Sequence, residues 1–284
     1  MAELISRSKN FKPIDPAQKI LFRKIGGYKA KEIAVTSGKG GVGKSNIVAN
    51  LACALSDLGL NVLLFDADFG LGNIHILLGL NPEFTLQDTL VGNKPIDEII
   101  LKDPDGIDIL STSSGGRVLP DLSKTELMGL AAELDTLRQK YDIILYDIGA
   151  GISKNVQYFS SISDEIIVIT NSEPTSFADA YALMKVLSNN SSKKTFRLVV
   201  NLVADSNEAK LVHRRLESVA YQFGQNFNIE PLGELRIDQA VPDSVRLQSL
   251  FIKRYPNSIA THDIRELASS LSYITFGSML EGHA

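Results

Sequence analysis

The sequence predicts an α/β fold, an open, doubly wound, mostly parallel sheet flanked by helices. Three observations carry that reading. From residue 32 onward, short β-rich runs alternate with helical stretches. Several runs are apolar at every position, as in Ile143-Ile144-Leu145-Tyr146 and Ile166-Ile167-Val168-Ile169. The intervening stretches are long enough to carry the chain from one parallel strand to the next. A strand covered on both faces has no polar side to show, so a continuous apolar run marks a sheet sandwiched between helices. Ligands of such a sheet bind beyond the C-terminal ends of its strands.

Taken in order, strands are predicted at 32–37, 61–66, 108–112, 142–147, 165–170, 196–202 and 229–233, and helices at 44–58, 124–140, 175–188, 207–226 and 258–272. The polar run 189–194 is a connection, and no internal repeat or interdomain linker is visible. The expected organisation is a basic N-terminal extension, 1–31, followed by one domain, 32–284. At 284 residues, 44% hydrophobic and 22% charged, the chain has ordinary globular usage and size enough for a core without covalent staples. The lone Cys53 excludes an internal disulfide and any multi-thiolate metal centre built by one chain. No signal-peptide pattern and no uncharged apolar run of membrane-spanning length is present, so a reducing, cytoplasmic setting is expected.

Charge is unevenly placed. Residues 1–31 hold eight basic side chains against Glu3 and Asp15, a net of +6, whereas the rest of the chain is −10. Asp15 is an N-cap carboxylate, Pro16 takes the first helical position and Gln18 the capping-box position, with Gly26-Gly27 as a stop. Ala17, Ile20, Leu21 and Ile25 share one face of that short helix, which needs a surface to bury it. The segment is either a solvated tail or a docking element for an acidic partner, lipid or nucleic acid.

After the first strand stands Gly38-Lys39-Gly40-Gly41-Val42-Gly43-Lys44-Ser45, followed by Asn46 and a helix. This is G-x-x-x-x-G-K-[ST] in the strand-loop-helix context it requires. Glycines let backbone N–H groups converge on phosphates, and the helix start adds its positive dipole end. Lys44 is expected to reach the β- and γ-phosphates and Ser45 to ligate Mg²⁺. Lys39 is extra to the minimal motif. It is either a solvent-facing side chain or an ammonium aimed at a second nucleotide across a dimer interface, as an arginine finger is. Asp66 and Asp147 end apolar strands at the same sheet edge, where carboxylates can hold Mg²⁺ through water.

Lys39-Gly40-Gly41-Val42-Gly43-Lys44-Ser45 resembles the deviant Walker A signature of the MinD/ParA ATPases, over about residues 32–275. Asp66-Ala67-Asp68-Phe69-Gly70-Leu71-Gly72-Asn73 is similar to the switch I of that family, and Asp147-Ile148-Gly149-Ala150-Gly151-Ile152 to its Walker B and switch II. The resemblance implies ATP and ADP binding, Mg²⁺ near Ser45, Asp66 and Asp147, a water positioned by Asp68, and adenine read by Asn201 with the 231–234 connection closing over the base. It also implies an ATP-dependent homodimer in which each Lys39 completes the other site. Within the family the chain resembles the FlhG group, regulators of flagellar number or placement. The motifs are the phosphate loop through Asn46, the Phe69-Gly70-Leu71-Gly72-Asn73 continuation and Tyr255-Pro256-Asn257-Ser258. That group carries a D-Q-A-x-x-L-R motif acting on a flagellar SRP-type GTPase, FlhF; here Asp15 and Ala17 remain, and Pro16, Ile20 and Leu21 depart from it.

Alternatives stay open: MinD-like division-site positioning, or ParA-like DNA partitioning through Arg214-Arg215 and Lys253-Arg254, which the acidic body disfavours. The Ile264, Leu267, Leu271 and Ile274 stripe of the last helix points to core packing, with peripheral contact at the inner face of the cell membrane through Phe276, Met279 and Leu280 as the weaker reading. An iron-sulfur carrier lacks thiolates, and a small-molecule kinase or ligase lacks an identifiable acceptor pocket.

Overall fold

The computed structural model describes residues 29–70, 72–102, 106–112, 122–190 and 194–281. Its strands are β1 (Lys31–Ser37), β2 (Val62–Ala67), β3 (Leu101–Lys102), β4 (Asp108–Leu110), β5 (Ile143–Ile148), β6 (Glu165–Thr170), β7 (Thr195–Val203) and β8 (Asn228–Arg236). They form one sheet in the order β3-β4-β2-β5-β1-β6-β7-β8. Only the β3/β4 pair at the edge is antiparallel; the other pairs are parallel. The helices are α1 (Lys44–Asp57), α2 (Ile74–Leu77), α3 (Leu86–Leu90), α4 (Lys124–Leu137), α5 (Lys154–Ile162), α6 (Pro174–Asn190), α7 (Ser206–Gln222), α8 (Ala240–Arg246), α9 (Phe251–Arg254) and α10 (Ile259–Glu281).

Alternation along the strands splits the core into two layers. Ile33 and Val35 of β1 lie in the layer that also holds Val48 and Leu51 of α1 and Ile264 and Leu267 of α10. Ala34 points the other way, into a layer with Phe159 of α5, Leu183 of α6 and Leu216 of α7. Strand order reverses around β1, so the loop after β1 opens at the switch point between the two flanks, where this architecture places its ligands.

Every predicted strand is present, with ends moved by one or two residues except in β8, which runs on to Arg236. The two-residue β3 was not predicted, nor were α2, α3, α5, α8 and α9. α5 is the instructive omission. Val156 and Phe159 turn inward while polar residues dominate the rest, so its apolar signal is two residues wide. The last helix is longer than its prediction, and Phe276 is fully buried in the α1 layer with Ile264, Leu267 and Leu271, while Ile274 is half-buried. Phe276, named above for membrane contact, is therefore spent on the core. The side chains of Met279 and Leu280, and the helix predicted after Asp15, lie outside the described residues. Among the described residues no helix is long and apolar enough to cross a membrane.

Candidate functional site

The phosphate loop begins where β1 ends. Ser37 Oγ donates to the Lys39 carbonyl at 2.9 Å, folding the chain back on itself. Gly43 has φ 87°, a left-handed conformation that a side chain would strain, and it caps α1 without a side-chain bond. No acidic residue sits in the first turn of α1. Its leading N–H groups and dipole end are thus offered to an anion rather than to the protein's own carboxylates. Gly38 is required for a different reason: a Cβ there would lie 2.1 Å from the Asp179 carbonyl carbon, so the backbone of α6 presses directly on the loop.

Lys44, buried, donates to Asp147 Oδ1 at 2.5 Å. The other oxygen, Oδ2, is buried with no hydrogen-bond partner. Asp66 is the register neighbour of Asp147 on β2. Its Oδ2 accepts from Ile74 N–H at 3.1 Å and its Oδ1 from Asp68 N–H at 3.4 Å. Burial, and then the Asp147 charge, push the Asp66 carboxyl up to about 7. Two buried carboxylates side by side, one with an orphaned oxygen and one driven toward protonation, fit a hard divalent cation that takes oxygen ligands. Among the described residues no group of three His, Cys, Asp or Glu could hold a metal alone.

Asp68 lies over the second loop. Its Oδ1 accepts from Gly70 N–H at 3.2 Å and stands 3.2 Å from where a Cβ on Gly149 would be. The 149–151 turn is tied to β1 by Thr36 Oγ1 donating to the Gly149 carbonyl at 3.3 Å and Gly151 N–H to the Ser37 carbonyl at 3.0 Å. Both acidic loops thereby converge on the phosphate loop. Leu71 lies outside the described residues.

The model for the CobQ/CobB/MinD/ParA nucleotide binding domain matches residues 33–250. The chain belongs to this family. It is similar to the antiactivator FleN of Pseudomonas aeruginosa, at 34% identity over 88% of this chain and 89% of that one. It is similar also to the flagellum site-determining protein YlxH of Helicobacter pylori, at 33% identity over 85% and 81%. In three dimensions it resembles the MinD cell division protein of Aquifex aeolicus with a TM-score of 0.66, 27% identity and coverage of 90% of this chain and 98% of the other.

As a MinD/ParA-type P-loop ATPase, the chain uses a sheet edge whose details add to the sequence-based expectation in two places. Asn201 is at the site, but its buried Nδ2 donates to the Val42 carbonyl at 2.7 Å, and a Cβ on Gly43 would lie 2.5 Å from it. The amide braces the loop. The second difference concerns the cavity beside the loop, of about 360 Å³, into which Asn46, Asn201 and Leu202 project. Its outer wall is Ile237, Asp238 and Pro242, not the 231–234 segment. Pro231 and Glu234 lie within β8, which continues to Arg236 and carries the turn onward.

Lys39 behaves unlike Lys44. Its ammonium reaches out of the loop to Glu173 Oε2 and Thr175 Oγ1, each at 3.0 Å, at the start of α6. Sequence reading missed Glu173 and Thr175. Their signal was the Glu173-Pro174-Thr175 start of a helix following a strand parallel to β1, which places them beside the loop.

Proposed function

We propose that the protein is an ATP-driven, dimerising switch that sets flagellar number or placement through protein partners. The carrying observation is the divergence of the two loop lysines. Lys44 is buried against Asp147 inside its own site, whereas Lys39 is exposed and directed away from it. A second cation held outside its own site has a use in a neighbouring site, compensating charge that develops on a transferred phosphoryl group. The flagellar setting comes from the similarity to the flagellum site-determining protein YlxH.

In this reading Gly38, Gly40, Gly41, Val42 and Gly43 supply backbone N–H groups to the phosphates, with Lys44 on the β- and γ-phosphates. Asn46 and the Asn201-braced cavity receive the base and ribose. Ser45, Asp66 and Asp147 would hold Mg²⁺, which when bound neutralises charge between the β- and γ-phosphates. Asp68 accepts a hydrogen bond from the attacking water and orients it. Lys39 leaves Glu173 and enters the partner protomer's site, so hydrolysis and pairing depend on one another. Residues 1–31, the basic extension, would engage an FlhF-like GTPase. The burial of Phe276 favours an α10 that serves the core over one that serves a membrane.

Sizing by light scattering tests the switch. The Asp68→Ala protein should run as a dimer with ATP and Mg²⁺ and as a monomer without, and Lys39→Ala should bind ATP yet stay monomeric. A Lys39→Ala protein that loses ATP binding altogether would place that lysine in its own site and end the reading.

A further inference from the structure

Among the core positions of α1, one carries an amide. Ile47, Val48, Leu51 and Leu55 pack into the core, and Asn50 lies between them, fully buried. An amide sealed from water costs free energy unless its donors and its acceptor are all met, and asparagine is a poor helix former. A leucine would fill similar space without either cost, so the amide needs a purpose.

The bonds of Asn50 fix its orientation. Its Oδ1 accepts from the Ile252 backbone N–H of α9 at 3.1 Å. A backbone N–H only donates, so that side of the amide is the oxygen. Nδ2 then faces Asn46, one turn earlier on α1, and donates to the Asn46 backbone carbonyl at 2.9 Å and to Asn46 Oδ1 at 2.8 Å. A carbonyl only accepts, which agrees with the same sense. The logic passes one step further: the Asn46 atom that receives Asn50 Nδ2 has to be the oxygen. What remains to Asn46 is its own Nδ2, with two N–H donors and no protein partner among the described residues. That side chain is half-buried and lines the cavity beside the phosphate loop. A chain of polarity therefore runs from the Ile252 N–H through Asn50 to the cavity, where it ends in donors. Satisfying Ile252 needs an acceptor alone; both donors of Asn50 are spent on Asn46.

We propose that Asn50 is a positioning residue for the nucleotide: it locks the Asn46 amide so that the cavity offers N–H donors to an acceptor oxygen on the ribose or the α-phosphate. This rests on the ATPase reading above and deepens it. An unlocked Asn46 is free to turn its own oxygen toward the ligand, and two acceptors face to face repel. Ile252 follows Phe251, which lines the same cavity, so the Asn50 bond also ties that wall to α1.

The test is a double-mutant cycle on the full chain, with ADP and tripolyphosphate titrated by isothermal calorimetry in the presence of Mg²⁺. Asn50→Asp keeps the acceptor for Ile252 but turns an oxygen toward Asn46, which then swings its Nδ2 inward and presents Oδ1 to the cavity. ADP should bind about ten- to a hundredfold more weakly. Asn50→Leu only frees Asn46 and should cost about threefold. In an Asn46→Ala background either change at position 50 should alter ADP binding by less than about twofold, because Asn50 acts through Asn46. A structural role, or a direct effect of the new carboxylate, would persist in that background and overturn the proposal. An Asn50→Asp protein that binds ADP as the parent does would overturn it as well. Tripolyphosphate weakened alongside ADP places the supported contact on phosphate; tripolyphosphate unaffected places it on the ribose. Should Asn50→Asp fail to fold, the parent protein decides by nitrogen-edited NMR. The Asn46 side-chain amide protons should gain protection from exchange when ADP is added, whereas those of Asn50 are protected already. Asn46 protons that stay unprotected with ADP bound overturn the proposal. A parent that binds no ADP would end the ATPase reading itself, and this inference with it.

Discussion

Replacing Glu173 with Gln removes the negative end of the contact that holds Lys39 against α6. The side chains are 40% and 60% exposed and meet at 3.0 Å. A pair this open to water is worth about 0.5–1 kcal/mol, because the Coulomb gain is screened and two long side chains are ordered to obtain it. At about 1.4 kcal/mol per factor of ten, its loss raises the fraction of released lysine by about two- to fivefold. Two lysines are released in a symmetric dimer, so the ATP-dependent association constant should rise by about five- to thirtyfold. Sedimentation equilibrium with ATP and Mg²⁺, in an Asp68→Ala background so that turnover does not drain the complex, reads this directly. The gain should shrink as salt is raised, since the contact being removed is itself screened. A Glu173→Gln protein that dimerises no better, or worse, would show that Glu173 does not restrain the lysine.

Asp66 gives a pH prediction. Its carboxyl is raised from an ordinary 3.8 to about 7, so the folded state favours the proton, and stability fully present below about pH 4 is lost as pH climbs through about 7. The thermal midpoint of the nucleotide-free protein should fall between pH 5 and pH 8, and Asp66→Asn should flatten that slope. Asn201→Ala leaves the Val42 carbonyl without its donor, at a cost of about 1–3 kcal/mol. It should weaken ATP and GTP by the same factor in equilibrium dialysis; a selective loss of ATP would make Asn201 a base-reading residue instead. Gly38→Ala drives a methyl into the Asp179 backbone, which has no rotamer to yield, and should lower the midpoint by about 5 °C by calorimetry.

The phosphate loop and both acidic strand ends were legible in the sequence because each demands a residue type for a local reason. A left-handed turn needs Gly43, and a strand covered on both faces has to be apolar up to the point where Asp66 or Asp147 emerges. What the sequence withheld depends on residues far apart in the chain. Nothing near Lys39 announces Glu173, which is brought beside it only by the pairing of β1 with β6. Asn201 was identified but not its bond to the Val42 carbonyl, because an amide at a strand end donates equally well to a base or to a loop carbonyl. The cavity wall moved from 231–234 to 237–242 because β8 outlasts its apolar core by three residues. The stripe on α10 has the same periodicity whether it meets lipid or α1, and only the burial of Phe276 separates the two.

The 17-residue α6 is about 25 Å long, and two separate parts of it bear on the phosphate loop. Its first residues hold the Lys39 ammonium, and its backbone at Asp179 abuts Gly38 with no room for a methyl group. Two residues further on, Tyr181 braces Phe223. A rigid rod touching the catalytic loop along one flank and the aromatic edge along another cannot shift at one without being felt at the other. The Tyr181–Phe223 ring pair is thereby mechanically in series with the phosphate loop, through one helix and no intervening side-chain relay.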